Sequence, residues 1–547
     1  MRASRDAGAE PSVRRIGRGE SLAWYACLAT LAVWALGYVW WPFSNDQGNL
    51  AWVGDVIRSG GMPYRDAWDV KGPGAHLLFA LCGALFGRNE WGLRLFDLAF
   101  LAIGSLSVWR IAERYAGPWG GRWAVVLYLL WYASLSHHDS AQPDGWAAAT
   151  VSSAVAVMVT RARRPAPLAG GAAGALIAAC TLIKPTYGLF LALPLLEGAT
   201  HAGRVAGRRI VAFIGASLLG FIVPIALCVI WFAARGALGD WLDVHLRWIP
   251  TSYTALDAAW LNRFQMLASF LTASRFTPAV PFAIGGLVVV MRSRTRRDAL
   301  LYSAWLAIAL FGVVMQGHFY AYHWHPLYPP LAMLAGIGLH RLLRSLRMSA
   351  GPAAGASPAP VATVVSLAGA AVMLLGAALE PALHVYRLAR YATGLSDAAA
   401  YDRIEFGAFG HHGGVFAELV GYLRSNSAPG DQVLVWGSGA GINYLSGRAS
   451  PSPFGFVQPL VDPPDSDLRR RYRDRFLHRV TSAAPRYVVS LNEKVCERDP
   501  TPEERSLMGR VEGIMRCLRD VPALHDYVLD RYTVARVIGP LEVRQRR

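Results

Sequence analysis

The chain has 547 residues, of which 54% are apolar and 19 are Trp, and its mean hydropathy is +0.29. That composition excludes both a disordered chain and an ordinary soluble enzyme, and leaves a polytopic membrane protein. The net charge of +17 invites a nucleic-acid partner, but the positive charge falls in short loops between apolar stretches, where it orients the chain instead.

A spanning helix needs about 20 mostly apolar residues. The first candidate, 23–43, follows Arg2, Arg5, Arg14, Arg15 and Arg18, so residues 1–22 are expected to be a cytoplasmic basic N-terminus. No small-residue cleavage site follows it, and Trp34, Trp40 and Trp41 suit an interfacial belt, so the segment reads as an uncleaved helix. A polar outer loop, 44–90, comes next. Its apolar stretch 75–87 is too short to span and is placed at or dipping into the outer face.

Segments 91–111, 120–136, 145–160, 167–183, 187–200, 210–233, 276–291, 299–315, 326–342 and 361–380 then alternate. Arginine clusters such as Arg161, Arg163 and Arg164, or Arg292, Arg294, Arg296 and Arg297, fall on one side, and acidic and aromatic loops on the other. If 75–87 spanned, those clusters would face outward, against the positive-inside bias. The expectation is eleven spans within a membrane module 23–384, with an outer loop at about 235–275.

After about residue 385 the apolar runs shorten to strand length, as in 432–436 and 487–490, between amphipathic stretches 415–425, 467–480 and 502–518. Residues 385–547 therefore read as a soluble α/β domain on the outer, periplasmic side, ending in a hairpin at Gly539-Pro540. An oxidising compartment would permit a Cys496–Cys517 disulfide; two buried thiols are the alternative. The run Gly437-Ser438-Gly439-Ala440-Gly441 after a strand has the wrong spacing for a dinucleotide loop and reads as a tight turn.

Of the 54 Lys and Arg only three are Lys: Lys71, Lys184 and Lys494. Lys71 and Lys184 lie near proline at the edges of apolar segments, where a compact ammonium suits a phosphate at a membrane surface; chance in an Arg-biased composition is the bland alternative. The first outer loop concentrates the remaining chemistry. Asp46 follows the first span directly, and Tyr64, Arg65, Asp66, Trp68, Asp69 and Lys71 come within eight residues before Gly72-Pro73.

An acid after the first span, then Gly-x-Pro-Tyr-x-Asp-x-Trp-Asp-x-Lys-x-Pro, a Lys-Pro after the fifth span and His-Trp-His-Pro-Leu-Tyr-Pro-Pro before a late one together resemble the integral-membrane glycosyltransferases of the GT-C fold. Among these the chain is similar to relatives of protein O-mannosyltransferases, the lipid A aminoarabinose transferase and rhizobial galacturonosyltransferases. The likeness covers roughly the first two thirds in topology and is specific in the Tyr64–Pro73 block. It departs from the pattern in three places: Gln47 replaces a second carboxylate, which weakens any case for a divalent metal, Gly72 replaces the first proline of a Lys-Pro-Pro form, and the acid Asp69 lies two residues before Lys71 instead of adjacent to it. No cofactor is expected with certainty, and no metal ligands are assigned.

The resemblance implies transfer of a sugar from a polyprenyl-phosphate carrier to a hydroxyl on a lipid, glycan or protein, at the outer face of a bacterial cytoplasmic (inner) membrane, in envelope glycan assembly or protein glycosylation. Such a transfer needs a base for the acceptor proton and cations for the leaving phosphate. Asp46 fits the base, with helix capping as its structural alternative. Lys71 and Lys184 fit the phosphate, helped by Arg65, His325 and Tyr64. Asp66, Asp69, Asp139, Asp144 and His323 are candidates for orienting sugar or acceptor, though Asp139 and Asp144 fit helix caps equally well, and His323 and His325 fit an interfacial belt. Two other classes are a lipid-carrier transporter or flippase, which should show ionisable groups at the membrane midplane, and a non-catalytic partner in glycan assembly, which would not need Asp46. Membrane lipids are expected partners; nucleic acid is not.

Overall fold

The computed structural model describes residues 10–160, 166–201, 206–253, 264–268, 276–292, 296–349, 360–412, 414–461, 466–496, 511 and 514–547. The apolar segments form helices: α1 Glu10–Tyr38, α2 Asn45–Arg58, α3 Pro73–Phe86, α4 Trp91–Ala133, α5 Pro143–Thr160, α6 Pro167–Ile183, α7 Ala192–Thr200 and α8 Gly207–Ala234. After α8 come a short α9, Leu238–Leu242, and a π-helical stretch Asp243–Tyr253, then α10 Val280–Arg292, α11 Arg296–Gln316, α12 Tyr328–Ser349 and α13 Pro360–Ala392.

Five helices among the described residues are long and apolar enough to cross a membrane: Gly19–Tyr38, Trp91–Ala133, Gly207–Ala234, Arg297–Gln316 and Thr363–Ala392. The second holds two of the expected spans in one run, broken at Gly117 (φ 66) before Pro118, where proline denies the preceding residue its helical conformation. Pro73–Phe86, Pro167–Ile183 and Thr277–Arg292 are shorter apolar helices. The expected spans 145–160 and 326–342 are helices enclosed by their neighbours, with almost every residue of 143–159 and 328–340 buried. A helix shielded from lipid can carry more small and polar residues than one facing it. The expected span 187–200 is a 3-10 turn, Pro185–Leu191, followed by α7, because Pro185 cannot continue α6.

Small residues set the tightest helix crossings. A Cβ at Gly174 of α6 would collide with the backbone of Ser217 on α8, and one at Gly338 of α12 with that of Phe282 on α10, the close approach membrane helices use in place of a hydrophobic drive.

Beyond α13 the chain forms α14 Ala398–Glu405, α15 Val415–Asn426, β1 Val433–Val435, α16 Ala440–Ser446, α17 Gln458–Val461, α18 Asp467–Ala483, β2 Tyr487–Leu491, α19 Glu493–Cys496, α20 Pro522–Arg531, β3 Tyr532–Ile538 and β4 Leu541–Arg546. The sheet order is β1-β2-β4-β3: β1 and β2 are parallel, the other pairs antiparallel, with a register shift between Val534 and Arg536. The expected final hairpin is present and turns at Gly539, φ 53. Most of the expected amphipathic stretch 502–518 lies outside the described residues. Cys496 and Cys517 form a disulfide with Cα atoms 6.0 Å apart.

This region does not hang free of the helices. One buried cluster unites Tyr64 and Trp68 of the first outer loop, Phe232 of α8 and Trp248 beyond it, and Trp436, Phe454 and Tyr472 of the C-terminal region. The first outer loop is thereby clamped between the membrane helices and the sheet.

Candidate active site

Helix α2 begins at Ser44, an extended residue at φ −82, ψ 174, whose backbone N–H donates to Gln47 Oε1 at 3.0 Å. The cap position therefore belongs to Ser44, and Asp46 sits inside the first turn with its carboxylate released from that duty. Gln47 is held on every side: its Oε1 also accepts from Arg94 Nη2 (2.8 Å), and its Nε2 donates to the carbonyls of His137 (2.8 Å) and Ser140 (2.5 Å). Arg94 is buried and reaches Trp41 O at 3.2 Å and Pro42 O. Behind it Asp97 accepts from Tyr38, Tyr132 and Trp146. This buried, nearly saturated network fixes the first turn of α2.

Lys71 Nζ stands 3.9 Å from Asp46 Oδ2. Its backbone is held by Asp69 Oδ1, which accepts from Lys71 N at 2.7 Å, and by Tyr64, whose hydroxyl donates to Lys71 O at 2.8 Å. Tyr64 has φ 66, a conformation bulky residues rarely adopt, and is buried against His76, Phe232 and His245. His76 Nε2 lies 3.3 Å from Asp69 Oδ1.

Lys184 reaches the same place from the other side. It follows α6 in an extended conformation, and its Nζ donates to Asp144 Oδ1 at 2.7 Å and Gln316 Oε1 at 2.5 Å. Tyr187 also donates to Asp144 Oδ1. The two loops are stitched together at Gly72, whose N–H donates to Ile183 O at 3.0 Å. A Cβ at Gly72 would collide with the carbonyl oxygens of Leu182 and Ile183, and a proline there would also lack the N–H. Both ammonium groups face the ring of Tyr322, at 4.9 Å for Lys71 and 6.0 Å for Lys184.

Asp46 and Lys71 line a cavity of about 430 Å3, with Trp68, Trp248, Tyr320, Tyr322, His138 and Asp139 around it and Phe456 and Gln458 supplied by the C-terminal region. The Asp46 side chain is 29% exposed into it. Burial pushes the Asp46 carboxyl above the ordinary carboxylate range, Lys71 pulls it down, and Asp69 and Asp144 push it up again. Burial lowers the Lys184 ammonium to about 8, against the pull of Asp144 and with the repulsion of Lys71.

Asp46, Lys71, Asp69, Asp144 and Lys184 are thus brought together, and Tyr64 supports Lys71 from behind. His323 lies against Tyr322 and Tyr320, at 4.6 and 5.3 Å between rings, on the lysine side. His325 is buried against Tyr132 and Tyr328. Arg65 and Asp66 pair with each other at 2.8 Å, Arg65 donates to Arg235 O, and Asp66 also faces Arg479, so neither joins the lysines. Asp139 lines the cavity and accepts from Ser136 Oγ at 2.7 Å. Among the described residues no three His, Cys, Asp or Glu side chains converge as metal ligands. Gln47 spends its oxygen on Ser44 N–H and Arg94, so it does not serve as a second oxygen ligand beside Asp46.

Sequence reading missed Gln316, Tyr187 and His76, which have no pattern to mark them, and Phe456 and Gln458, which only the fold brings near. It also missed Arg94 and Asp97, although a signal existed: two ionisable residues in an apolar segment are costly unless they serve a purpose.

The model of the dolichyl-phosphate-mannose-protein mannosyltransferase family matches residues 70–231, the stretch carrying Lys71, Asp144 and Lys184. No curated protein sequence matches the chain. Among solved structures, ArnT from Cupriavidus metallidurans bound to undecaprenyl phosphate superposes with a TM-score of 0.57 at 17% identity, covering 96% of this chain and 98% of that one. Its apo form gives 0.57 at 16% over the same shares. The Archaeoglobus fulgidus oligosaccharyltransferase gives 0.49 at 12%, over 93% of this chain and 72% of that one. The helices are arranged in the GT-C fold, as in ArnT.

Proposed function

We propose that this protein transfers a sugar from a polyprenyl-phosphate carrier to a hydroxyl acceptor at the outer face of a bacterial cytoplasmic membrane. The observation that carries the reading is the convergence of two of the chain's three lysines, from loops more than a hundred residues apart, on one tyrosine ring, with Asp46 beside Lys71 in the wall of an aromatic cavity. ArnT bound to undecaprenyl phosphate supports a polyprenyl carrier for the same fold.

In this reading Asp46 takes the proton of the acceptor hydroxyl as its oxygen bonds to the anomeric carbon. The bond from that carbon to the phosphate oxygen breaks, and the charge left on the carrier phosphate is met by Lys71 and Lys184. Asp144 and Gln316 hold Lys184 in reach, so they position the cation and do not touch the reacting atoms. Both ammonium groups lie within cation–π range of the Tyr322 ring.

The test is Asp46→Asn in purified protein with a radiolabelled polyprenyl-phosphate sugar. Asn keeps the size and hydrogen bonding of the side chain but cannot take the proton, so turnover should fall about 10²–10⁴-fold with carrier binding and thermal stability retained. Near wild-type turnover would move the base to another carboxylate. Carrier binding without transfer, in wild type as in variant, would make the protein an assembly partner.

A further inference from the structure

The backbone of Lys71 is held on both sides by groups that the transfer itself does not use. Its N–H donates to Asp69 Oδ1 at 2.7 Å, and its carbonyl accepts from the Tyr64 hydroxyl at 2.8 Å. Both of those groups rest on one further residue, His76. Its Nε2 lies 3.3 Å from Asp69 Oδ1, and its ring stands edge-on to the Tyr64 ring with centroids 5.4 Å apart. His76 reaches this spot because α3 starts at Pro73, directly after the Gly72 cap. Residue 76 is thus one turn into the helix, with its side chain leaning back toward the helix start. The apolar helix that is too short to span therefore brings an imidazole against the lysine loop.

Burial decides between contact with substrate and a supporting role. The side chains of His76 and Asp69 are 0% and 1% exposed, so both are closed off from a sugar or acceptor in the cavity beside Asp46. A carboxylate and an imidazole are costly to bury. Here each also keeps one atom unmatched: Asp69 Oδ2 and His76 Nδ1 are buried with no hydrogen-bond partner among the described residues. An apolar side chain at 76 would fill the space without that cost. What the imidazole adds is a donor. Against a carboxylate, which only accepts, the ring presents its Nε2–H, and that bond fixes the oxygen from which the Lys71 N–H hangs.

We propose that His76 is a positioning residue for Lys71: through Asp69 and Tyr64 it fixes the lysine backbone so that the ammonium meets the carrier phosphate, and it touches neither substrate. This rests on the reading that places the phosphate at Lys71. It gives Asp69 a supporting role in place of the substrate contact expected from the sequence. A misplacement of about 1 Å can cost about a hundredfold in rate, so a residue two contacts away from the phosphate has leverage over it.

The test is the binding of undecaprenyl phosphate to the purified full-length protein, with no acceptor or turnover involved. His76→Leu removes the donor. His76→Gln keeps an amide N–H that can reach the place of Nε2, whereas the shorter amide of His76→Asn cannot. Kd should rise about tenfold in the Leu and Asn variants and stay close to wild type in the Gln variant. The deciding comparison is made on Lys71→Ala, which has no ammonium left to place: adding His76→Leu to it should weaken binding no further. Melting temperatures identify the folded variants, and where Leu is not tolerated at 76 the Asn variant carries the same comparison. Wild-type affinity in a folded Leu or Asn variant, an equal loss in the Gln variant, or a further loss on top of Lys71→Ala would overturn the inference and leave the phosphate at Lys71. Wild-type affinity in Lys71→Ala alone would remove the phosphate from Lys71, and this inference with it.

Discussion

Asp46 and Lys184 are perturbed in ways that set a pH window. Burial raises the Asp46 carboxyl above its ordinary value of 3.8, so the base is lost as pH falls through that raised value. Burial lowers Lys184 to about 8, so its cation is lost as pH rises through that region. kcat/KM, which reports the free enzyme, should therefore be bell-shaped, with its acid limb above the ordinary carboxylate range and its alkaline limb near 8. Lys184→Arg should move the alkaline limb upward, because a guanidinium keeps its charge. An alkaline limb unmoved in that variant would assign it elsewhere. Replacing Lys71 with Ala removes one charge-assisted contact, about 1.5–3 kcal/mol or roughly tenfold to a hundredfold in rate; Lys71→Arg should recover part of this, and full activity in Lys71→Ala would place the phosphate elsewhere. These residues stood out in the sequence because lysine is rare in this chain and an acid directly after a span is fixed at the water boundary. Gln47 was legible only as a departure from a pattern. The structure gives its reason: two backbone carbonyls face its amide nitrogen, where a carboxylate would meet only acceptors.

At the scale of elements, the site depends on loops pressed against each other more than on any single helix. Gly72 lets the Lys71 loop lie on the carbonyls that end α6, which is what brings Lys71 and Lys184 to one tyrosine ring. Gly72→Ala should force the two loops apart at the Leu182 and Ile183 carbonyls and lower kcat/KM at least tenfold, although neither lysine is touched. A melting temperature within a few degrees of wild type, measured alongside, would distinguish this from general unfolding, and unchanged activity would show that the loops tolerate separation. The glycine run 437–441 has an analogous role. Gly441 packs directly on Gly48 of α2, and Asn49 Oδ1 accepts from Ala440 N at 3.0 Å, so the turn after β1 seats the C-terminal sheet on the helix that carries Asp46. The sequence showed the tight turn but not its partner, because the contact joins residues nearly four hundred positions apart. The helices themselves were legible from apolar length. The 3-10 turns at 185–191 and 321–327 were not, since their apolar content matches that of the helices they continue into; proline at 185 and 326 was the available signal.

For the whole molecule the decisive quantity is orientation, because every proposed group lies at one end of the helix bundle. Asp46 and Lys71 line one cavity, and the loop after α6 joins them there through Gly72, whose N–H donates to Ile183 O, and through Lys184, which shares the Tyr322 ring with Lys71. If that end faced the cytoplasm, the arginine clusters following α5, α7, α10 and α12 would face outward, against the usual distribution of positive charge. The expected topology places residues 1–22 inside and 385–547 outside, and a reporter active only outside should be active when fused after Arg390 and silent after Arg347. The reverse pattern would put the lysines on the cytoplasmic side and reverse the direction from which the carrier and acceptor approach. A silent reporter at both positions would instead mean that α13 does not cross. Asp46, Lys71 and Lys184 would keep their geometry in that case, while the expected outer position of residues 385–547 would fail.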